Sequence, residues 1–390
     1  MKTMRLLILF FSTILLSHCS NNEQPSTPDE GEEPETETPV EENEKPDFYY
    51  GADLSYVNEM VDCGAEYKDQ DGVVKDPYKI FAEAGTNLVR VRLWNNPDWT
   101  EYSNLDDVKR TIRKAKEENM NVLLDFHYSD SWADPEKQEI PKAWESNIDD
   151  TEALGNQLYE YTYSTLKTLN DEGLLPEMVQ VGNEINGMIL QKGELEWPIN
   201  WERNASLINK GLKAVRDISE ELDTDIEVML HIAQPENALW WFEQATENGV
   251  TNYDWIGLSY YPLWSEYDLN NVGTPLKTLV DTYQKRLMIV ETAYPFTMEN
   301  ADGANNILDN NALINGYPAS PQGQLDYMNK LKEIVATSGG EGLIYWEPAW
   351  VSTDCSTLWG QGSHWDNATM FDFNNQATIG LNYYNAAKDN

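Results

Sequence analysis

Short apolar runs that stop abruptly on a polar or aromatic residue recur along this chain, separated by stretches of helical periodicity. The sharpest case is Met178–Val181, which breaks into Gly182–Asn183–Glu184 and so sets a carboxylate at the tip of a buried strand. Its length and β-branched content favour a parallel-sheet strand over a helix. Leu287–Val290 has the same build and runs straight into Glu291. A charge at such a point is costly unless it meets a partner or a substrate. One strand-end carboxylate can be structural, whereas two on separate, similarly built strands suggest acid/base chemistry.

Read in order, the strand-like segments are 48–53, 87–94, 121–127, the run ending in Glu184, 226–231, 255–261, the run ending in Glu291, and 342–346. Between them lie helical patterns such as Leu105, Val108, Ile112 and Ala115, a long stretch over 151–169, and Leu207, Ile208, Leu212, Val215 and Ile218. A helix is expected near Leu239–Asn248, and a closing one over 376–388. Eight β-α units in about 340 residues predict a single (β/α)8 TIM barrel with enlarged βα loops. A doubly wound open sheet is the alternative. Arg92, His127, Glu184, His231, Tyr260, Glu291 and Trp346 all fall at strand carboxyl ends, where barrels carry their active sites.

The segment before the barrel is of another kind. Lys2 and Arg5 precede the apolar run Leu6–Phe11, continued by Ile14, Leu15 and Leu16. This is a secretory signal, too short for a membrane span of roughly 20 apolar residues. Its end, Leu16–Ser17–His18–Cys19, resembles a bacterial lipoprotein box, although His18 is a poor fit and ordinary cleavage is the alternative. The expected divisions are a signal peptide over 1–18, an acidic, Pro-rich disordered linker over 19–47 beginning at the lipidated Cys19, and a catalytic domain over 48–390. That places the protein outside the cytoplasm as an anchored lipoprotein, in the periplasm or on the outer-membrane surface.

The formal net charge is −40. Such a surface repels nucleic acid and anionic polymers at long range and suits a neutral substrate. No Cys/His zinc cluster and no Gly-rich phosphate loop is present in the sequence. Cys63 follows the first strand and Cys355 the eighth, neighbours once a barrel closes, so a disulfide and two free thiols are both open. The domain is expected to be monomeric.

The fourth and seventh strands face each other across a barrel mouth, so Glu184 and Glu291 can converge. Two carboxyls about 5–5.5 Å apart cleave glycosidic bonds with retention. The 14 Trp and 21 Tyr of the chain tilt the same way, since sugar rings stack on aromatic faces. In this reading Asn183 holds the 2-hydroxyl of the sugar, and Arg92 keeps Glu291 ionised. Tyr260 donates a hydrogen bond to Glu291, Trp346 floors the cleaved subsite, and Glu184 stays protonated near neutral pH.

Gly182–Asn183–Glu184–Ile185 and Glu291–Thr292–Ala293–Tyr294–Pro295 resemble the acid/base and nucleophile motifs of the arabinogalactan endo-β-1,4-galactanases, glycoside hydrolase family 53. The stretches His127–Pro135, Ser259–Pro262 and Tyr345–Trp350 resemble that family too, and the match runs through 48–390. The resemblance implies Glu184 as acid/base, Glu291 as nucleophile and a neutral β-1,4-galactan substrate. It also implies substrate contacts from Asn183, Arg92, His127, Asp130, Trp132, His231, Tyr260, Trp346 and Trp350. The runner-up is a related barrel hydrolase acting on mannan, cellulose or arabinan; from another class, a surface lipoprotein that only binds glycans. Galactanases of this family carry a calcium-binding loop, which here corresponds to Asn300, Asp302 and Asn306 with Ser363 and Asp366 from the next loop. Ala304 and Asn300 replace the expected histidine and aspartate, so calcium binding should be weak; a plain solvated loop is the alternative.

Overall fold

Eight parallel strands close on themselves in chain order in the computed structural model, which describes residues 45–193 and 195–388. They are β1 (Tyr49–Asp53), β2 (Leu88–Leu93), β3 (Asn121–Phe126), β4 (Met178–Val181), β5 (Glu227–Ala233), β6 (Trp255–Ser259), β7 (Arg286–Glu291) and β8 (Gly342–Tyr345). The ring shuts through Tyr49–Ala52 against Gly342–Tyr345. The helices between them are α1 (Val57–Asp62), α2 (Pro77–Ala84), α3 (Leu105–Glu117), α4 (Thr151–Asp171), α5 (Trp201–Glu221), α6 (Pro235–Glu247), α7 (Gly273–Tyr283) and α8 (Pro321–Thr337). This is the expected (β/α)8 barrel. The signal peptide, Cys19 and the linker as far as residue 44 lie outside the described residues. No helix among the described residues is long and apolar enough to cross a membrane.

The strands are buried on both faces because helices cover the outside and side chains fill the inside. One residue from each strand plugs the lower barrel: Tyr49, Leu88, Leu123, Met178, Met229, Trp255, Met288 and Ile344, with Val290 beside them. Side chains alternate across a strand, so the next inward position lies two residues on. There the interior turns polar: Arg90 follows Leu88, Asp125 follows Leu123, Gln180 follows Met178, and His231 follows Met229. The apolar plug below fixes the height at which polar chemistry begins.

Several boundaries differ from the sequence reading. Two short helices, α1 and α2, lie between β1 and β2, where the sequence reading has no element. The helix expected near Leu239–Asn248 begins earlier, at Pro235, where a proline suits a first turn whose N–H has no partner. The closing tail is a 3₁₀ segment over Ile379–Lys388, not an α-helix. The sixth strand ends at Ser259, two residues early.

Candidate active site

After Val181 the chain leaves β4 through Gly182, at φ 85°, and Glu184, at φ 45°. A side chain at Gly182 would fall 2.5 Å from Ile185 Cγ2, so only glycine lets the backbone turn so tightly. Left-handed backbone at a non-glycine residue carries local strain and clusters at functional sites. Glu291 is the last residue of β7. The turn carries the Glu184 carboxylate over the barrel axis, where its oxygen, one from Glu291 and a ring nitrogen of His231 all lie within 4.8 Å of one another.

The cation on Glu291 is Arg90, not Arg92 as expected. Arg90 Nη1 lies 2.8 Å from Glu291 Oε1 and 2.8 Å from Asp53 Oδ2. Its Nη2 donates to Asp125 Oδ2 at 2.9 Å and Asn183 Oδ1 at 2.7 Å, and Nε to Gln180 at 3.2 Å. Arg92 points into the same interior one layer higher and pairs instead with Glu347 at 2.7 Å. Its guanidinium lies 4.1 Å from the Tyr56 ring centre and 4.5 Å from that of Trp132. Alternation puts both arginines inside; only their depth separates the roles.

A second correction shifts a tyrosine by one. Tyr260 turns outward and donates to the Tyr267 carbonyl at 3.1 Å, whereas Tyr261 Oη reaches Glu291 Oε2 at 3.5 Å. Inward parity on β6 runs from Trp255 through Gly257 to Ser259 and Tyr261, and the irregularity falls on β7, where Glu291 instead of Val290 pairs with Ser259. Ser259 Oγ donates to Glu184 Oε1 at 2.5 Å and also meets His231 Nε2 at 2.9 Å. His231 Nδ1 is 3.0 Å from Asn183 Oδ1. Burial, with Arg90 and His127 adding to it, holds the His231 imidazole well below its ordinary range, so the ring is neutral.

Burial pushes Glu184 up to about 7; the Ser259 hydrogen bond opposes this and the Asp134 charge adds to it. Burial raises Glu291 as well; Arg90 opposes, while Glu184, Asp53 and Asp125 push it further up. Two carboxyls this close do not both ionise readily. The ion pair to Arg90 favours charge on Glu291, and Glu184, bonded to a neutral hydroxyl, is the better holder of the proton.

Asn183 spends one amide hydrogen on the Ala133 carbonyl at 2.8 Å and lines the cleft beside Glu184. The cleft encloses about 860 Å³, and Trp132, Trp346 and Trp350 form part of its wall with Tyr261, Trp264 and Trp359. Trp350 stacks on Tyr56 at 4.0 Å between ring centres. His127 and Asp130 are not in that wall. His127 lies 3.1 Å from Asp125 and accepts from Ala133 N–H, while Asp130 accepts from Asn96 and Lys142 N–H. They shape the loop after β3 instead of touching the cleft. His231 likewise acts from below, through Ser259 and Asn183. The sequence reading missed Ser259, Gln180, Asp53, Asp125 and the wholly buried Glu347. A lone acid inside the aromatic stretch Tyr345–Trp350 was the available signal for Glu347.

A model of glycosyl hydrolase family 53 matches residues 49–384. The chain belongs to this family. It is 58% identical over 327 residues to an arabinogalactan endo-β-1,4-galactanase of Cellvibrio japonicus, covering 83% of this chain and 86% of that one. An endo-β-1,4-galactanase of Bacillus subtilis is 35% identical, over 88% of this chain and 86% of its own. Among solved structures, the family 53 catalytic domain of Ignisphaera aggregans superposes with a TM-score of 0.80 at 32% identity, covering 87% of this chain and 96% of that domain.

In this family 53 hydrolase the long loops after β7 and β8 are joined, though not by the five expected ligands acting as one set. Ser363 Oγ donates to the Trp350 carbonyl at 2.7 Å. Asp302 accepts from Ala304 N–H at 2.7 Å and Ser363 N–H at 2.8 Å, and also from the Ser352 hydroxyl. The other three do converge, with the amide nitrogen of Asn306 donating to Asn300 Oδ1 at 2.6 Å and Asp366 Oδ1 at 2.7 Å. The Asn306 Oδ1 on the other side of that amide is buried without a hydrogen-bond partner. Nearby, a disulfide links Cys63, just beyond α1, to Cys355, with 5.8 Å between their Cα atoms. It anchors the base of a small hairpin, β9 (Ser356–Thr357) and β10 (Gly360–Gln361), whose turn carries Trp359.

Proposed function

We infer that this family 53 hydrolase cleaves internal β-1,4-galactosidic bonds of galactan and type I arabinogalactan with retention of configuration. The observation that carries the reading is the approach of Glu184 and Glu291 to within 4.8 Å, with a guanidinium on Glu291 alone at direct ion-pair distance. Inverting enzymes hold their carboxyls about 6.5–9.5 Å apart to admit a water, and retaining ones about 5–5.5 Å. Glu291 attacks the anomeric carbon while Glu184 gives its proton to the departing glycosidic oxygen. A covalent galactosyl-enzyme forms, and Glu184, now ionised, takes a proton from the water that hydrolyses it. Proton NMR during hydrolysis should show the β-anomer first; an α-anomer appearing first would sink the two-step scheme. Glu291→Gln should abolish nearly all turnover. Glu184→Gln should hurt least for substrates with a good leaving group, which need little acid assistance.

Three further points extend this reading. The lipoprotein-like Cys19 and the acidic linker support an exported enzyme held to a membrane by a lipid anchor, checked by mass spectrometry of the processed N-terminus. A monomer is the expected state. Calcium is a weak ligand of the loop after β7: turning the Asn306 amide over would present its buried Oδ1 beside Asn300 Oδ1 and Asp366 Oδ1, an all-oxygen set suited to a hard cation with water completing the shell. Such an ion would staple loops and take no part in bond cleavage.

A further inference from the structure

We propose that Trp197 and Trp240 form an outlying platform that holds galactan beyond the cleft, an inference that rests on the galactanase reading. Trp197 is 68% exposed and Trp240 40% exposed, with ring centres 5.6 Å apart. Exposed indoles paired in this way are unusual on a surface that has no use for them. They are also held in place. Trp240 leans on Trp201 at 6.4 Å, and Trp201 on the fully buried Trp241 at 5.5 Å. The loop bearing Trp197 is pinned by Arg203, which donates to the carbonyls of Ile189 at 2.8 Å and Leu190 at 2.6 Å.

Both rings sit on elements that continue from the active site. Trp197 lies on the loop that leaves Glu184. Trp240 lies on α6, whose preceding residue Gln234 and exposed Asn237 line the cleft. One helical turn, about 5 Å, separates Asn237 from Trp240. The two elements are fastened together at the cleft edge: Asn186 donates to the Ala233 carbonyl at 3.0 Å and accepts from Ala233 N–H at 2.8 Å. A polymer leaving the cleft along this edge meets the platform next. The occupant is set by chemistry. The rings are uncharged on a chain of net charge −40, and a galactopyranose with its axial 4-hydroxyl turns one apolar C–H face outward, the surface an indole stacks against.

The experiment compares kcat/KM on long galactan and on galactotetraose for wild type and for Trp197→Ala/Trp240→Ala. The ratio of polymer to oligosaccharide activity should fall about three- to tenfold, the loss of one or two stacking contacts. Trp197→Ala alone, at a position too exposed to threaten folding, should move the ratio the same way. In the Glu291→Gln background the same pair of changes should reduce retardation in galactan-containing gels. A ratio that does not move would overturn the platform. So would a wild-type dimer that the double variant converts to monomer, since the patch would then be a self-association surface. Wild type inactive on both substrates would overturn the galactanase reading, and this inference with it.

Discussion

Arg90 Nη1 bridges Asp53 and Glu291, 2.8 Å from each, at the centre of the barrel. It also meets Asp125, so one wholly buried guanidinium holds three carboxyl groups in place. Arg90→Lys keeps the charge and loses the fork. We expect kcat to fall by about 10²-fold or more, the scale of losing one aligned charge-stabilising donor. Arg90→Gln should also cost about 3–5 kcal/mol of stability, because it leaves buried carboxyls unpaired. Steady-state kinetics and thermal melts on both variants check this; an Arg90→Lys enzyme of near-wild-type kcat would refute the assignment.

The Glu184 carboxyl, raised to about 7 by burial, sets the alkaline limb of activity. Glu184 must be protonated to act as acid, so kcat/KM should fall as pH rises through that value. Ser259 bonds to the ionised carboxyl and favours it. In Ser259→Ala the proton is therefore held more tightly and the alkaline limb should move to higher pH. A shift to lower pH would show that the hydroxyl acts otherwise.

Tyr261→Phe removes the hydroxyl facing Glu291 and should lower kcat about tenfold or more. Tyr260→Phe removes only the bond to the Tyr267 carbonyl, which should cost about 1 kcal/mol of stability and leave the kinetics near wild type. The reverse pattern would restore the sequence-based choice of Tyr260.

The Cys63–Cys355 bridge spans 292 residues of chain. Replacing both cysteines by serine should lower stability by about 2–4 kcal/mol. Because Cys355 anchors the hairpin that bears Trp359, KM for galactan should rise more than kcat falls. An unaltered KM would remove Trp359 from the substrate path.

Calcium should raise the melting temperature of chelator-treated wild type by only a degree or two at millimolar concentration, as expected when the ligand barely exceeds its Kd. Asn306→Asp replaces the amide nitrogen with a second oxygen and should enlarge the effect. Identical melts with and without the ion, in both proteins, would exclude it.

Much of this was legible in the sequence, for physical reasons that also mark where legibility stops. Strand periodicity placed Arg90 and Arg92 on one face, but depth along the barrel axis depends on the stagger of eight strands, which no local pattern encodes. Glu184 and Glu291 were readable because each ends an apolar run abruptly. Tyr260 and Tyr261 are adjacent and chemically alike, so choosing between them requires knowing that Trp255, lower on the same strand, points inward, which a strand buried on both faces does not reveal. Ser259 and Gln180 carry no charge and sit in ordinary strand contexts, so their roles become visible only once Glu184 and Arg90 are beside them. Asp130 resembled a substrate contact by its place in a motif, yet its carboxylate closes a loop.

The polar layer around Arg90 is deliberately out of balance. One guanidinium faces Asp53, Asp125 and Glu291, and the imidazole of His231 above them is neutral. As the glycosidic bond lengthens, the sugar ring takes on oxocarbenium character, with positive charge spread over its anomeric carbon and ring oxygen. The barrel interior thus lacks a cation that only the substrate supplies, and only for the lifetime of the transition state. A resting sugar gains little from that deficit; the distorted, charged one gains most of it.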